Sequence, residues 1–258
     1  MDVVLVSART TDVHPHWSVG LCRTVAGELA AAGARVQWLC PTAVGEPAPA
    51  PLPGVEIAAV EGSVPSFRCV EARVGDTATD QQLARMLRPL RRAHVVHCGL
   101  GAAGSATPLW LAERMGARPI AVVTAREVLC ARQTLVDCTG ARCDRFDDAQ
   151  RCTECASAPW SQGLSPRQSK CARALRFLGG HSPFPNRIAM LSRSDLVLGS
   201  LILADVLVAD AVEKEQLVVA GVPSRSVQVV GPVGGEHPGA RAVAQFLSTM
   251  IFPVGART

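Results

Sequence analysis

Residues 204–231 read ADVLVADAVEKEQLVVAGVPSRSVQVVG, and this segment restricts the fold more than any other. Asp205 to Ala209 is an apolar run too short for a helix. Residues 213–220 have helical spacing, with Leu217, Val218 and Ala220 on one stripe, and Gly221 followed by Pro223 ends them. Residues 227–230 are a second apolar run, closed by Gly231-Pro232. A strand, a helix, a glycine stop and a strand in so short a stretch make one βαβ unit of a parallel sheet.

The N-terminal end has the same construction. Residues 2–7 (DVVLVS) predict a buried strand, 8–18 a polar loop with His14 and His16, 19–32 a helix ending at Gly33, and 35–40 a second strand. Further strands are expected at 55–60, 93–98 and 119–124, and helices at 79–92 (with Thr77 or Thr79 as N-cap), 107–115, 166–178 and from Ser182-Pro183 to about 203. Residues 42–54 read as a surface loop, and 130–155 as irregular and cysteine-rich. The Val, Ile and Ala runs do not alternate with polar residues, so both faces of the sheet must be covered. The fold class that follows is α/β: a Rossmann-like, doubly wound parallel sheet with helices on both faces and a Cys-rich insertion at 128–156.

A chain of 258 residues with 48% hydrophobic and 19% charged residues can bury an ordinary core. The net charge of +4 is carried by arginine, since Lys170 and Lys214 are the only lysines. The arginines are scattered; Arg85, Arg88 and Arg92 share a helix face that reads as solvated, so nucleic-acid binding has little support. Asp2 replaces the positive start of a signal peptide, and the apolar run at 196–204 is about half the ~20 residues that a membrane span needs. The expected location is cytoplasmic or membrane-peripheral. Ten cysteines in that setting point to thiols or a metal rather than disulfides.

Cys152-Thr-Glu-Cys155 can present two thiolates to one metal, and Cys130 and Cys143 complete a tetrahedral set, with Cys138 as a substitute. The surrounding stretch holds Asp137, Asp144, Asp147 and Asp148 and little apolar material, so a bound zinc would supply the missing order. The alternatives are reduced thiols in a flexible insertion, disulfides or an iron–sulfur cluster. Gly99-x-Gly101-x-x-Gly104 follows a strand and has the form of a dinucleotide fingerprint, but no acidic residue ends the next strand, so it reads as a tight turn.

The helix ending in Ala220-Gly-Val-Pro223, flanked by Val-rich strands, resembles the segment that closes the N-terminal domain of family-4 glycosyltransferases. The insertion is similar too: Thr124-Ala-Arg-Glu127, Cys130-Ala-Arg132, Gly140-Ala-Arg-Cys143 and Cys152-x-x-Cys155 follow the order of that family's Thr-Leu-His-Asp, Cys-Pro-Arg, Gly-x-x-Cys and Cys-x-x-Cys. Arg126 stands where the family has a histidine facing the transferred sugar, and Glu127 where it has an aspartate. His94-Val-Val-His97-Cys-Gly99 loosely reproduces its His-x-His-Gly, and Gly20 is the one glycine left of its glycine-rich first loop. The resemblance implies substrate contacts at Gly20, His97, Gly99, Arg126 and Glu127, and a GT-B N-terminal domain over 1–231 that binds an acceptor: a glycan, a lipid or a small molecule.

In that family a C-terminal domain with a Glu-x7-Glu motif holds the nucleotide sugar, and only 27 residues follow Gly231, so a separate donor-domain protein is the implied partner. Two other readings stay open: a non-catalytic binding module, and a metal- or redox-sensing cysteine protein on a Rossmann-like scaffold. The tail, 232–258, carries one amphipathic helix at 240–250 that is expected to pack back on the domain or to dock a partner.

Overall fold

Seven apolar runs form one all-parallel sheet: β1 (Asp2–Val6), β2 (Arg35–Ala43), β3 (Val55–Gly62), β4 (His94–Cys98), β5 (Arg118–Val122), β6 (Asp205–Val208) and β7 (Val227–Val229), in the order β3-β2-β1-β4-β5-β6-β7. The computed structural model describes residues 2–7, 17–43, 49–62, 77–88, 93–100, 106–130, 135–136, 139–143, 148–161, 187–231 and 238–252. Its helices are α1 (Trp17–Ala31), α2 (Thr77–Leu87), α3 (Thr107–Arg114), α4 (Ala125–Leu129), α5 (Ala149–Ser161), α6 (Arg187–Ile202), α7 (Ala211–Val219) and α8 (Ala240–Ile251).

The register explains why the strands read as continuous apolar runs. Leu5 pairs with Trp38 and Val6 with His97, while Val122 pairs with Leu207. One face, with Val3, Leu5, Trp38, Val96, Ile120, Val122 and Leu207, packs under α1 and α8. The other, with Val4, Val6, Val95, Ala121, Val206 and Val208, packs under α2, α3, α6 and α7. The fold is therefore the expected α/β Rossmann-like sheet with helices on both sides. The last helix of the chain belongs to the first of these layers: Val243, Ala244, Leu247 and Ile251 are buried in the same core as Leu21, Val25 and Leu29 of α1.

Helix ends follow their sequence signals. Gly221 sits at φ +103°, its N–H bonds Val218 O and Val222 N–H bonds Leu217 O, the six-to-one closure that a residue with positive φ permits. Asp210 caps α7 by accepting from Glu213 N at 2.8 Å.

Four details depart from the sequence reading. β2 runs on through Pro41, so Thr42 and Ala43 are strand rather than loop; its pairing with β1 stops at Leu39, so the missing N–H of Pro41 leaves no gap on that side. α2 begins at Thr77, so Thr77 and Thr79 both lie within the helix rather than at its N-cap position. Residues 149–155, expected to be irregular, belong to α5, which Asp148 starts by accepting from Arg151 N at 3.0 Å. The short α4 was not foreseen. The expected elements at 166–178 and around Ser182-Pro183 lie outside the described residues.

Candidate functional site

The strand order reverses between β1 and β4, and ligands of open α/β sheets bind in the crevice at the carboxyl ends of the strands on either side of such a point. Ser7 ends β1 there and Cys98-Gly99 ends β4. Gly99, at φ +74°, turns the chain while its N–H bonds Val122 O at 3.0 Å. The start of α1, and α4 just beyond β5, complete the rim.

Two carboxylates organise this edge. Glu127 on α4 is 1% exposed and accepts from the indole Nε1 of Trp17, the first residue of α1. This bond spans the sheet from the β1 side to the β5 side. Glu213 on α7 bridges two chain segments: one oxygen accepts from Ala125 N at 3.1 Å and the other from Ala209 N at 3.0 Å. It thereby ties the start of α4 to the end of β6. Burial pushes its carboxyl up from the ordinary 4.5 to about 7, against the two backbone N–H groups and Arg126, which favour the ionised form.

That shift has a defined sign. Below pH 4.5 the carboxyl is protonated in both folded and unfolded chains, and between 4.5 and about 7 its ionisation is resisted only in the folded chain. Stability from this group is thus present in acid, falls as pH rises through that window and is level above it. Thermal melts of the native protein and Glu213→Gln across pH 4–8 are expected to converge at the alkaline end less well than at the acid end, with the native protein losing ground between 4.5 and 7. Parallel curves would show that Glu213 titrates normally.

The structure distributes the expected site residues unevenly. His97, Gly99, Arg126 and Glu127 all lie at the carboxyl edge; His97 is buried, on the same face of β4 as Val95. Gly20 does not belong to the first loop. It lies in the first turn of α1, exposed, with open space where a Cβ would stand. His94 does not join His97: it starts β4 at the opposite edge and points to the other face, beside the Arg118–Asp205 pair at 2.7 Å. Three residues along a strand carry a side chain about 10 Å and change its face, so this spacing cannot place both histidines in one crevice. Burial, then Arg118, hold His94 below its usual pKa. His14, His16, Gly101 and Gly104 lie outside the described residues. Trp17, Glu213 and Arg193 were missed. For Glu213 there was a signal, since Asp210-Ala-Val-Glu213 has the form of a capping box.

The cysteines of the insertion gather around one thiol. Cys130 terminates α4, Cys143 is anchored by its N–H to Leu135 O at 2.8 Å, and Cys152 and Cys155 are one turn apart on α5. Burial pushes the Cys152 thiol up to about 11, and Cys143, Cys130 and Cys155 each add to the rise, so all four are electrostatic neighbours. As placed, no three described His, Cys, Asp or Glu side chains stand close enough to hold a metal ion. No disulfide joins any two of the described cysteines. Cys138 lies outside them. A second group, Cys22, Cys40 and Cys98, is fully buried under α1 near the switch point, with Ser7 Oγ donating to Cys40 Sγ at 3.5 Å.

No protein-family model matches the chain, and no curated protein matches it. Solved structures do. Os79 from O. sativa in complex with UDP is 17% identical, with a TM-score of 0.43 over 89% of this chain and 51% of its own. Apo UGT2 of Phytolacca americana is 12% identical, with a TM-score of 0.43 over 90% of this chain and 52% of its own. The same UGT2 complexed with UDP-2fluoro-glucose and pterostilbene is 13% identical, with a TM-score of 0.42 over 90% and 55%. The chain spans about half the length of these proteins. Among the described residues no helix is long and apolar enough to cross a membrane.

Proposed function

We propose that this chain is the acceptor-side half of a glycosyltransferase-like system of the GT-B type. The acceptor occupies the crevice between β1 and β4, and a nucleotide-sugar-binding half from outside these residues closes over it. The observation that supports this most is the convergence of His97, Gly99, Arg126 and the Trp17–Glu127 pair at the topological switch point. The chemistry these residues offer is recognition. The half-buried Arg126 presents a permanent cation suited to a phosphate or hydroxyl, and the Glu127 carboxylate is held in place by an indole donor. The arginine at 126, where the family-4 glycosyltransferases have histidine, cannot serve as a neutral base, and it favours a second reading in which the crevice binds without reacting.

The insertion is proposed to hold one structural zinc through Cys130, Cys143, Cys152 and Cys155. Cys152 and its three thiol neighbours, Cys130, Cys143 and Cys155, are donors of the right type, and a divalent cation would relieve the cost of ionising neighbouring thiols. Its role would be to fix the insertion beside α4. As the side chains stand they do not form a tetrahedral shell, so metal capture would have to draw them together.

The functional test is a screen of the purified chain against UDP-, GDP- and ADP-sugars, alone and with any nucleotide-sugar-binding protein that co-purifies with it. Alone, no useful turnover is expected, because the donor half assembles the reacting pair. With the partner, transfer is expected and should fall at least tenfold in Glu127→Gln. Robust turnover by the chain alone would overturn the divided site. A nucleotide-sugar-binding partner that binds without supporting transfer would leave the non-catalytic reading.

A further inference from the structure

The carboxyl edge of the sheet is closed in this structure. Ser7, His97 and Glu127 are each 1% exposed, and Cys98 and Thr124 are wholly buried. A ligand in the crevice needs surface that these residues do not offer as they stand. One contact crosses the opening. Trp17 and Glu127 meet from the β1 side and the β5 side, and β4 is the strand between, so their bond bridges the end of β4. The two ends of that bond rest on very different supports. α4 is too short to hold itself as a helix, and the flanking helices grip it at both ends. At its start Glu213 accepts from Ala125 N. At its last turn the buried Arg193 of α6 donates from Nη2 to Glu127 O at 2.6 Å and from Nη1 to Val128 O at 3.0 Å. Trp17 stands on softer ground. It is the first residue of α1, partly buried, and the first turn there contains Gly20 and no acidic side chain. Glycine holds a helix weakly, and a carboxylate would have supported the positive end of the helix.

We propose that Trp17 is the gate of the crevice: its indole, latched on Glu127, shuts the end of β4 and swings away to admit the acceptor while α4 stays in place. This rests on the acceptor reading above. Opening exchanges the indole–carboxylate bond for bonds to water, so its net cost is modest. It uncovers the end of β4, where Cys98 belongs to the core cluster on which Trp17 packs, with His97 and Gly99 on either side. A hydroxyl of the ligand can then donate to Glu127 in place of the indole, and binding restores the bond that opening broke. The gate therefore selects. A ligand without a donor to offer leaves the carboxylate unsatisfied in a closed site and recovers nothing.

The test uses iodoacetamide and hydrogen exchange on the full chain, without a ligand. Alkylation of each cysteine under native conditions is read by peptide mapping. Cys98 should react slowly in the native protein. Trp17→Phe keeps a ring but loses the N–H, and should raise the Cys98 rate roughly tenfold, as loss of a hydrogen bond to a charged group implies; Trp17→Ala should raise it further. Cys40, equally buried but on β2, should react no faster in either variant. In the native protein the Trp17 indole N–H, assigned with Trp17→Phe, should be about tenfold less protected from exchange than the amides of Val128 and Cys130, which are bonded to Thr124 O and Arg126 O. Equal protection would mean that α4 opens together with Trp17. Cys98 and Cys40 accelerating alike would mean that the variants loosen the whole core. An unchanged Cys98 rate would make the edge permanent core. Each of these overturns the gate. Should the variants not fold, native exchange still decides. The acceptor reading is decided apart from this, by the transfer screen: transfer with an unchanged Cys98 rate sinks the gate alone, and a gate without transfer sinks only the acceptor reading.

Discussion

Deleting residues 238–258 is expected to leave a protein that does not survive as a soluble monomer. α8 places Val243, Leu247 and Ile251 in the core against α1, all at 4% exposure or less. Fully burying an aliphatic side chain is worth ~1.5–3 kcal/mol, so three such residues come to roughly 5–9 kcal/mol. That is comparable to the whole stability of a typical domain, about 5–15 kcal/mol. The deletion also uncovers the α1 surface beneath. Leu247→Ala alone should cost ~2–5 kcal/mol, read from denaturant unfolding at constant m. A truncated protein that stays monomeric by ultracentrifugation and melts at the native temperature would show that α8 is dispensable.

The second large effect concerns the cysteine cluster. Protein expressed without a metal-binding tag is expected to contain about one zinc per chain by elemental analysis. Cys155→Ser should lose most of it and melt markedly earlier, because the binding energy of a structural zinc is also folding energy, ~10–16 kcal/mol in the simplest cases. Part of that is lost here, since α5 and α4 have other support: Cys155 and Ala156 are buried on α5, and Glu127, Val128 and Leu129 on α4. Chelation should lower the melting temperature of the native protein and leave Cys155→Ser unchanged. Metal-free native protein of equal stability would return the four cysteines to ordinary thiols.

The sheet was legible because its strands are buried on both faces and write themselves as unbroken Val, Ile and Leu runs, punctuated by glycines that stop the helices. α8 was legible from its single apolar stripe. α5 was hidden because polar residues surround its cysteines, so no apolar stripe shows its helical period; only the Asp148 cap marks its start. The carboxyl-edge position of His97 followed from its place at a strand end, and that of Arg126 and Glu127 from the resemblance around Thr124. The partners that hold the edge together could not be read at all. Trp17 and Glu127 are 110 positions apart, Ala125 and Glu213 are 88 apart, and Arg193 meets Val128 across 65. Nothing local in a sequence announces such pairs.

The packing of α8 on α1 also orders events in time. α1 is made early in synthesis, yet the layer it belongs to is not complete until residues 240–251 have been added. Contacts so distant along the chain are slow to form, since the loop entropy must be met before they reward it. During that interval Leu21, Val25 and Leu29 face a surface with no final partner, the kind of exposure that chaperones bind and that drives aggregation. Nascent chains stalled before residue 240 should therefore be protease-sensitive over α1 while β4 and β5 are already protected.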